Sequence, residues 1–297
     1  MSKVLIPVKG GLGNQMFFYA FSLSLKANGL NPKFIWYEYI FTKQHNGVEL
    51  INAFDIKFDK WTNLKISIYC KLNNILYFSK IKQGIGRIIR LKYSFYKRVE
   101  QNNPYSFDIH IFDSRDGNVY FDGFWQNYQY LEPIKSSLRG FFSFKLPNNY
   151  NCDKYLVEIE RVNSVSIHIR RGDYLDPTFK ELNVINSSKY YFDSINYIRS
   201  MCVDPIFFIF SDDMEWAKTT FIDEKYIFVE GNKNRNSYLD MFLMSKCRHN
   251  IIANSTFSWW GAWLNENSRK IVISPVMWTD KIFSSQLCPQ DWVFLKT

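Results

Sequence analysis

Residues 4–27 read VLIPVKGGLGNQMFFYAFSLSLKA. The run 4–8 is apolar and too short for a helix, and it breaks at Lys9 into a turn carrying Gly10, Gly11 and Gly13. From 15 to 27 apolar residues recur at helical spacing, and the pattern stops at Asn28-Gly29. A short apolar run, a glycine turn and an amphipathic stretch spell strand, turn and helix. That is the opening of an α/β unit.

Working outward, 33–37 reads as the next strand and 118–121 as another, with a less legible, helical region expected between them. The second half is clearer. Apolar runs at 165–169, 206–210, 226–229, 250–253 and 270–273 alternate with helical patterns, which implies a parallel, doubly wound sheet. The stretch Pro147-Asn148-Asn149-Tyr150-Asn151 is the most linker-like, and a chain of 297 residues lies near the size at which one core gives way to two. Two domains are expected, 1–147 and 148–297.

The chain is 46% hydrophobic and 19% aromatic, enough for a sizeable core, and its formal charge of +9 favours anionic partners. The excess is uneven, since residues 60–99 hold ten Lys or Arg and no Asp or Glu. The stretch 60–98 reads either as a contact with an anionic membrane or as a solvated helix face. No nucleic-acid recognition motif accompanies the charge, so no nucleic-acid partner is expected. The five cysteines are scattered, with no CxxC, and no apolar run approaches the roughly 18 residues of a membrane span. The chain is expected in the cytoplasm, with peripheral contact at the inner membrane face as the elaboration that 60–98 suggests.

Ligands of open α/β sheets bind beyond the carboxyl ends of the strands, and five polar clusters fall there, at 9–15, 168–173, 211–213, 254–256 and Ser274-Pro275. In His168-Ile169-Arg170-Arg171-Gly172-Asp173-Tyr174 two guanidiniums can grip phosphate bidentately, unless Asp173 merely pairs with one of them. In Ala253-Asn254-Ser255-Thr256-Phe257 a strand end becomes a helix start, whose free N–H groups favour phosphate; capping alone is the alternative, and Trp260 and Leu264 read as core. Gly11 and Gly13 permit close backbone approach, and Asn14 and Gln15 can hydrogen-bond phosphate or sugar. The turn imitates a dinucleotide fingerprint only poorly, because the third glycine would fall on Met16. Asp212 and Asp213 suit a base or ribose edge, or a helix cap. There is no Asp-x-Asp, and the four histidines have no ligand spacing, so neither a metal nor any other cofactor is expected.

The segments 10–20 (GGLGNQMFFYA), 121–126 (FDGFWQ), 168–174 (HIRRGDY), 210–218 (FSDDMEWAK) and 253–264 (ANSTFSWWGAWL) together resemble the α-1,2-fucosyltransferases of glycosyltransferase family 11. The resemblance implies a GT-B-like α/β fold of two facing Rossmann-like domains with parallel sheets. It implies inverting, metal-independent transfer of L-fucose from GDP-fucose to the 2-hydroxyl of a glycan, with terminal galactose the expected acceptor, in surface polysaccharide or oligosaccharide synthesis. The alternatives are a nonenzymatic nucleotide-sugar or glycan binder, or a different donor. His168 and Arg170 are matched to guanine and β-phosphate, Asp212 or Asp213 to the base, and Ser255 and Thr256 to the helix start. Arg171, Asn254 and Phe257 complete the donor set, while Asn14 is placed near the diphosphate. Asp122, Trp125 and Gln126 fall on the acceptor side. Arg170 and Asn14 are expected to act in catalysis, and Asp173, Glu181 and Asp122 compete for the role of general base.

Overall fold

The strand, turn and helix of residues 4–27 form β1 (Val4–Pro7) and α1 (Leu12–Ala27) in a computed structural model. The structure describes residues 4–36, 46–57, 96–101, 103–113, 117–147, 153–185 and 187–297. Every residue of β1 is buried, as its unbroken apolar run requires of a strand covered on both faces. The helix ends where expected: Gly29 takes a left-handed φ of 82°, and the Leu30 N–H donates to the Leu25 carbonyl at 3.0 Å.

Contacts divide the chain into two units, Met1–Ser143 and Phe144–Thr297. In the first, β1 lies between β2 (Pro32–Ile35) and β4 (Asn118–Asp122), with β3 (Tyr96–Glu100) outside β4; every pair is parallel. Its core is aromatic. Phe21 of α1 stacks on Trp125 at 4.4 Å and meets Phe121 and Tyr130 edge-on at 5.5 and 5.3 Å. Such pairs add about 0.5–1.5 kcal/mol each beyond the area they bury.

The second unit begins with α2 (Asp153–Arg161) and β5 (Asn163–Ile169), then α3 (Lys189–Met201) and β6 (Pro205–Ser211). The chain continues through α4 (Met214–Thr220), β7 (Tyr226–Phe228), α5 (Tyr238–Lys246) and β8 (His249–Ile251). It closes with α6 (Thr256–Leu264), β9 (Val272–Pro275) and β10 (Val293–Leu295). The sheet order is β10-β9-β8-β5-β6-β7, all parallel. Both units are therefore Rossmann-like, the GT-B-like α/β class. Trp260 and Leu264 are buried in α6, so the reading of both as core holds. At Gly261 an added Cβ would come within 2.9 Å of Met244 Cβ, so the glycine is what lets α6 pack this closely on α5.

Several strand ends shift by one or two residues from the expected ranges, because apolarity marks the buried middle of a strand and not the last hydrogen bond of its ladder. Two strands escape the sequence reading. The first, β3, carries Lys97, Arg98 and Glu100, the charged composition typical of a sheet edge, and β10 has only three residues. Most of 60–98, and with it the expected membrane contact, lies outside the described residues. Among the described residues no helix is long and apolar enough to cross a membrane.

The crossovers set the site. From β5 the chain steps outward to β6 and β7, then returns to the other flank of β5 to build β8, β9 and β10. The direction reverses between β5 and β8, and ligands of such sheets bind beyond the carboxyl ends of the strands at such a reversal. In the first unit the ends of β1 and β4, the two inner strands, lie side by side.

Candidate functional site

His168 is the penultimate residue of β5 and is buried. Burial, with a smaller contribution from the Arg170 cation, pushes its imidazole down to about 3. The ring is therefore neutral at physiological pH and able to hydrogen-bond without adding charge. Its Nδ1 is buried with no hydrogen-bond partner among the described residues, a polar atom awaiting one. Phe257, at the start of α6, lies 5.8 Å from the imidazole between ring centroids.

Arg170 follows the strand directly. Its Nη2 donates to Asp173 Oδ2 at 2.6 Å and its Nη1 lies 3.0 Å from Asp212 Oδ2. Burial pulls the guanidinium pKa down, but Asp212 and Asp173 more than offset it and the net direction is up. The side chain keeps 32% of its surface, and its other N–H groups remain for a ligand. Arg171 is fixed differently: its Nε donates to Asp213 Oδ2 at 3.3 Å, and its guanidinium lies 4.3 Å from the centroid of the Trp216 ring.

Asp212 also accepts from the Arg171 backbone N–H at 2.9 Å, and a Cβ on Gly172 would approach its Oδ2 to 3.1 Å. Asp213 caps α4, accepting from the Trp216 N–H at 3.1 Å. Both aspartates thus orient the arginines, and the pairing of Asp173 with Arg170, raised as an alternative from sequence, is real. Asp173 Oδ1 is buried and lacks a hydrogen-bond partner among the described residues.

Beyond β8, Ser255 caps α6, its hydroxyl accepting from the Phe257 N–H at 3.4 Å. Thr256 is the first residue of that helix. Asn254 is a brace. Its Nδ2 donates to the carbonyls of Leu182 and Trp278 at 2.8 and 2.9 Å, and its own carbonyl accepts from the Tyr174 hydroxyl at 3.1 Å. That last bond ties the arginine loop of β5 to the end of β8, so Asn254 shapes the site while its amide nitrogen is committed elsewhere. Glu181 is exposed, and among the described residues it makes no hydrogen bond or ion pair with His168, Arg170 or Arg171.

The first unit departs further from the sequence reading. Gln15 is fully buried: its Nε2 donates to the Gly10 and Gly47 carbonyls at 3.1 and 2.9 Å, and its Oε1 accepts from the Glu49 and Leu50 N–H groups at 2.9 and 3.3 Å. Its hydrogen-bonding capacity is spent inside the fold, which corrects its expected place among ligand-binding residues. Trp125 is likewise buried, 1% exposed and stacked on Phe21, so the ring expected on the acceptor side is core. Gly11 and the buried Gly13 bracket the start of α1, where Leu12 N–H donates to Glu49 Oε2 at 3.1 Å. A carboxylate of the protein thus sits at the helix start.

Asn14 and Gln126 are brought together, Gln126 Nε2 donating to Asn14 Oδ1 at 2.7 Å. Asp122, at the end of β4, pairs with Arg98 and lies 3.6 Å from Lys9 Nζ. Among the described residues no group of three or more His, Cys, Asp or Glu is placed to hold a metal.

Sequence reasoning missed Glu49, which binds α1 from 37 residues away with no motif to announce it. It also missed Asp240, in the first turn of α5. Burial raises that carboxyl to about 7, against the opposing pull of Asn232 Nδ2, which donates to it at 2.7 Å.

A Rossmann-like unit with a neutral buried imidazole and two oriented guanidiniums at its switch point, in a chain built of two such units, has the makings of a nucleotide-sugar glycosyltransferase. The chain belongs to glycosyl transferase family 11, whose model matches residues 3–296. It is 36% identical over 306 residues to an α-1,2-colitosyltransferase of Escherichia coli, covering 99% of each chain. It is 32% identical over 308 residues to the O-antigen biosynthesis glycosyltransferase WbnK of the same species, covering 97% of this chain and 99% of that one. A shorter match, 30% over 103 residues, covers 34% of this chain and 28% of galactoside α-(1,2)-fucosyltransferase 1 of Leontocebus fuscicollis.

Proposed function

We propose that the protein transfers L-fucose, or its 3-deoxy relative colitose, from a GDP-sugar to the 2-hydroxyl of a galactose-terminated glycan. The observation that carries this reading is the β5 end, where His168 and Arg170 stand beside the α6 start in a family 11 chain. The imidazole, kept neutral, suits the edge of guanine. Arg170 and the α6 N-terminus suit the β-phosphate, where negative charge grows as GDP leaves. Arg171 holds the loop through Asp213 and Trp216.

In the proposed reaction the acceptor hydroxyl attacks the anomeric carbon as the bond to GDP breaks, and the configuration inverts. Asp173, already bonded to Arg170, acts as its orienter. Asp122, Gln126 and Asn14 line the β1/β4 end, which is proposed to serve the acceptor and the transfer step. No metal is called for, and turnover should survive a strong chelator; a loss restored only by a divalent ion would overturn that part.

The colitosyl reading is favoured by full-length identity to a colitosyltransferase. Fucose and colitose differ by one hydroxyl, and a site that hydrogen-bonds a hydroxyl rejects the deoxy analogue strongly, whereas an apolar pocket discriminates weakly. Assaying GDP-fucose and GDP-colitose against galactose-terminated acceptors, with linkage analysis of the product, separates the two. Transfer from neither donor, or linkage to a position other than the 2-hydroxyl, defeats the proposal.

A further inference from the structure

The loop after β4 is held in a strained form by a residue from the neighbouring edge strand. Trp125 has a φ of 55°, a left-handed conformation uncommon for a bulky side chain. What maintains it is Gln101, just past β3, whose single Oε1 accepts from two successive backbone N–H groups, Phe124 at 3.0 Å and Trp125 at 2.9 Å. Gly123 makes room for this reach, since a Cβ there would come within 2.6 Å of both Gln101 Cβ and Oε1. The Gln101 N–H in turn donates to the Asp122 carbonyl at 2.9 Å, so the ends of β3 and β4 are locked in register.

The strained residue is followed at once by Gln126, which donates to Asn14 Oδ1 at 2.7 Å. Asn14 Nδ2 lies so close over Gly10 that a Cβ there would overlap it, and Gly10 has a φ of 79°. The Asn14 carboxamide oxygen is thus held by Gln126, while its nitrogen lies against Gly10, whose left-handed φ favours glycine. Backbone strain of this kind persists only where its surroundings impose it.

We propose that Gln101 is a positioning residue for sugar transfer: by holding Phe124 and Trp125 it sets Gln126, and through Gln126 the orientation of the Asn14 carboxamide. The inference rests on the function proposed above only in giving Asn14 a part in transfer. Both loop bonds use the Gln101 oxygen as acceptor, so glutamate should preserve them and alanine should not.

The test compares Gln101→Ala, Gln101→Glu, Asn14→Ala and the Gln101→Ala/Asn14→Ala double variant in the full-length protein. Gln101→Ala should lower kcat roughly 10- to 100-fold, the range that a small displacement of a reacting group produces, with KM for the donor little changed. Gln101→Glu should recover most of that loss. The double variant should be no worse than Asn14→Ala, because residues acting through one another are not additive. Independently of turnover, the side-chain amide NMR signals of Asn14 should move in Gln101→Ala and return in Gln101→Glu.

Unmoved signals in Gln101→Ala, or losses that multiply in the double variant, overturn the inference. Should Gln101→Ala prove unfolded by thermal melting, Gly123→Ala provides the same displacement by steric means, and it should shift the same signals. A wild-type protein inactive with every GDP-sugar defeats the proposed function, and the amide signals then decide the positioning role alone.

Discussion

The two strand-end clusters sit on the same kind of parallel sheet and are built from opposite chemistries. In the second unit Arg170 and Arg171 are set among Asp173, Asp212 and Asp213, so the local architecture is one of full charges held in place by counter-charges. In the first unit the framework is carboxamide: Gln15, Gln101 and Gln126 each bond backbone or another amide, and the charged members Lys9, Asp122 and Arg98 lie beside them. Charges oriented by carboxylates suit a ligand that is itself a compact anion. Amides, which both donate and accept, suit hydroxyl groups.

Substitutions at Arg170 of the second unit and Gln15 of the first should therefore hurt the protein in different ways. In the second unit the damage should be to chemistry. Arg170→Ala removes a donor aimed at developing phosphate charge, a loss of about 2.7–4 kcal/mol in transition-state stabilisation. Turnover should fall by two or more orders of magnitude while the melting temperature stays within a few degrees, since the guanidinium is part-exposed. A folded Arg170→Ala protein with near-normal kcat would remove the basis for the contrast.

In the first unit the corresponding loss at the buried Gln15 brace should be of stability. Gln15→Leu strands two buried N–H groups and two carbonyls that now share one side chain. An unsatisfied buried polar group costs about 1–3 kcal/mol, and with partial relaxation a total near 3 kcal/mol is expected. Urea denaturation should show a lower midpoint with an unchanged slope. A variant as stable as the parent would show that the glycine turn does not depend on its amide brace.

A smaller effect tests whether Arg171 is a ligand group or a support. Lysine keeps the charge but loses the planar stacking on Trp216 and the directed Nε bond to Asp213. If Arg171 supports the loop, Arg171→Lys should cost about 1 kcal/mol of stability, with KM for the donor changed less than threefold. A KM raised tenfold or more at constant stability would instead make it a direct phosphate contact.

How much of this could be read beforehand follows from the range of the interactions. The α/β class, the β1 turn and the β5 and β8 ends were legible because each is a local pattern: an apolar run, then glycine, arginine or a capping serine within a few residues. The family was legible from the same motifs, and the whole chain matches it. What failed was long-range. Gln15 looks like a ligand group beside three glycines, but its partners Gly47, Glu49 and Leu50 lie more than thirty residues away. Trp125 sits in a motif with polar neighbours, and only the packed fold shows its ring against Phe21. Gln101 follows an edge strand, Tyr96–Glu100, whose charged residues leave only a broken apolar pattern.

An effect confined to one side of the pH range sets two groups of the second unit against each other. Asp240 is held near 7 in the folded chain by burial, well above the ordinary carboxyl value near 4. The folded state therefore binds its proton more tightly than the unfolded chain does. Stability is lost as pH rises from about 4 to about 7 and levels off above that. His168 works the other way: its folded value near 3 lies below the ordinary 6.5, so stability is lost as pH falls through that interval. Asp240→Asn removes only the first of these. Its melting temperature should match the parent near pH 4 and exceed it by a few degrees at pH 8, a gain on the order of 1–2 kcal/mol once the site relaxes. A gain that is equal at both pH values would mean that the substitution acts by packing, and the carboxyl would then play no part in how the second unit responds to pH.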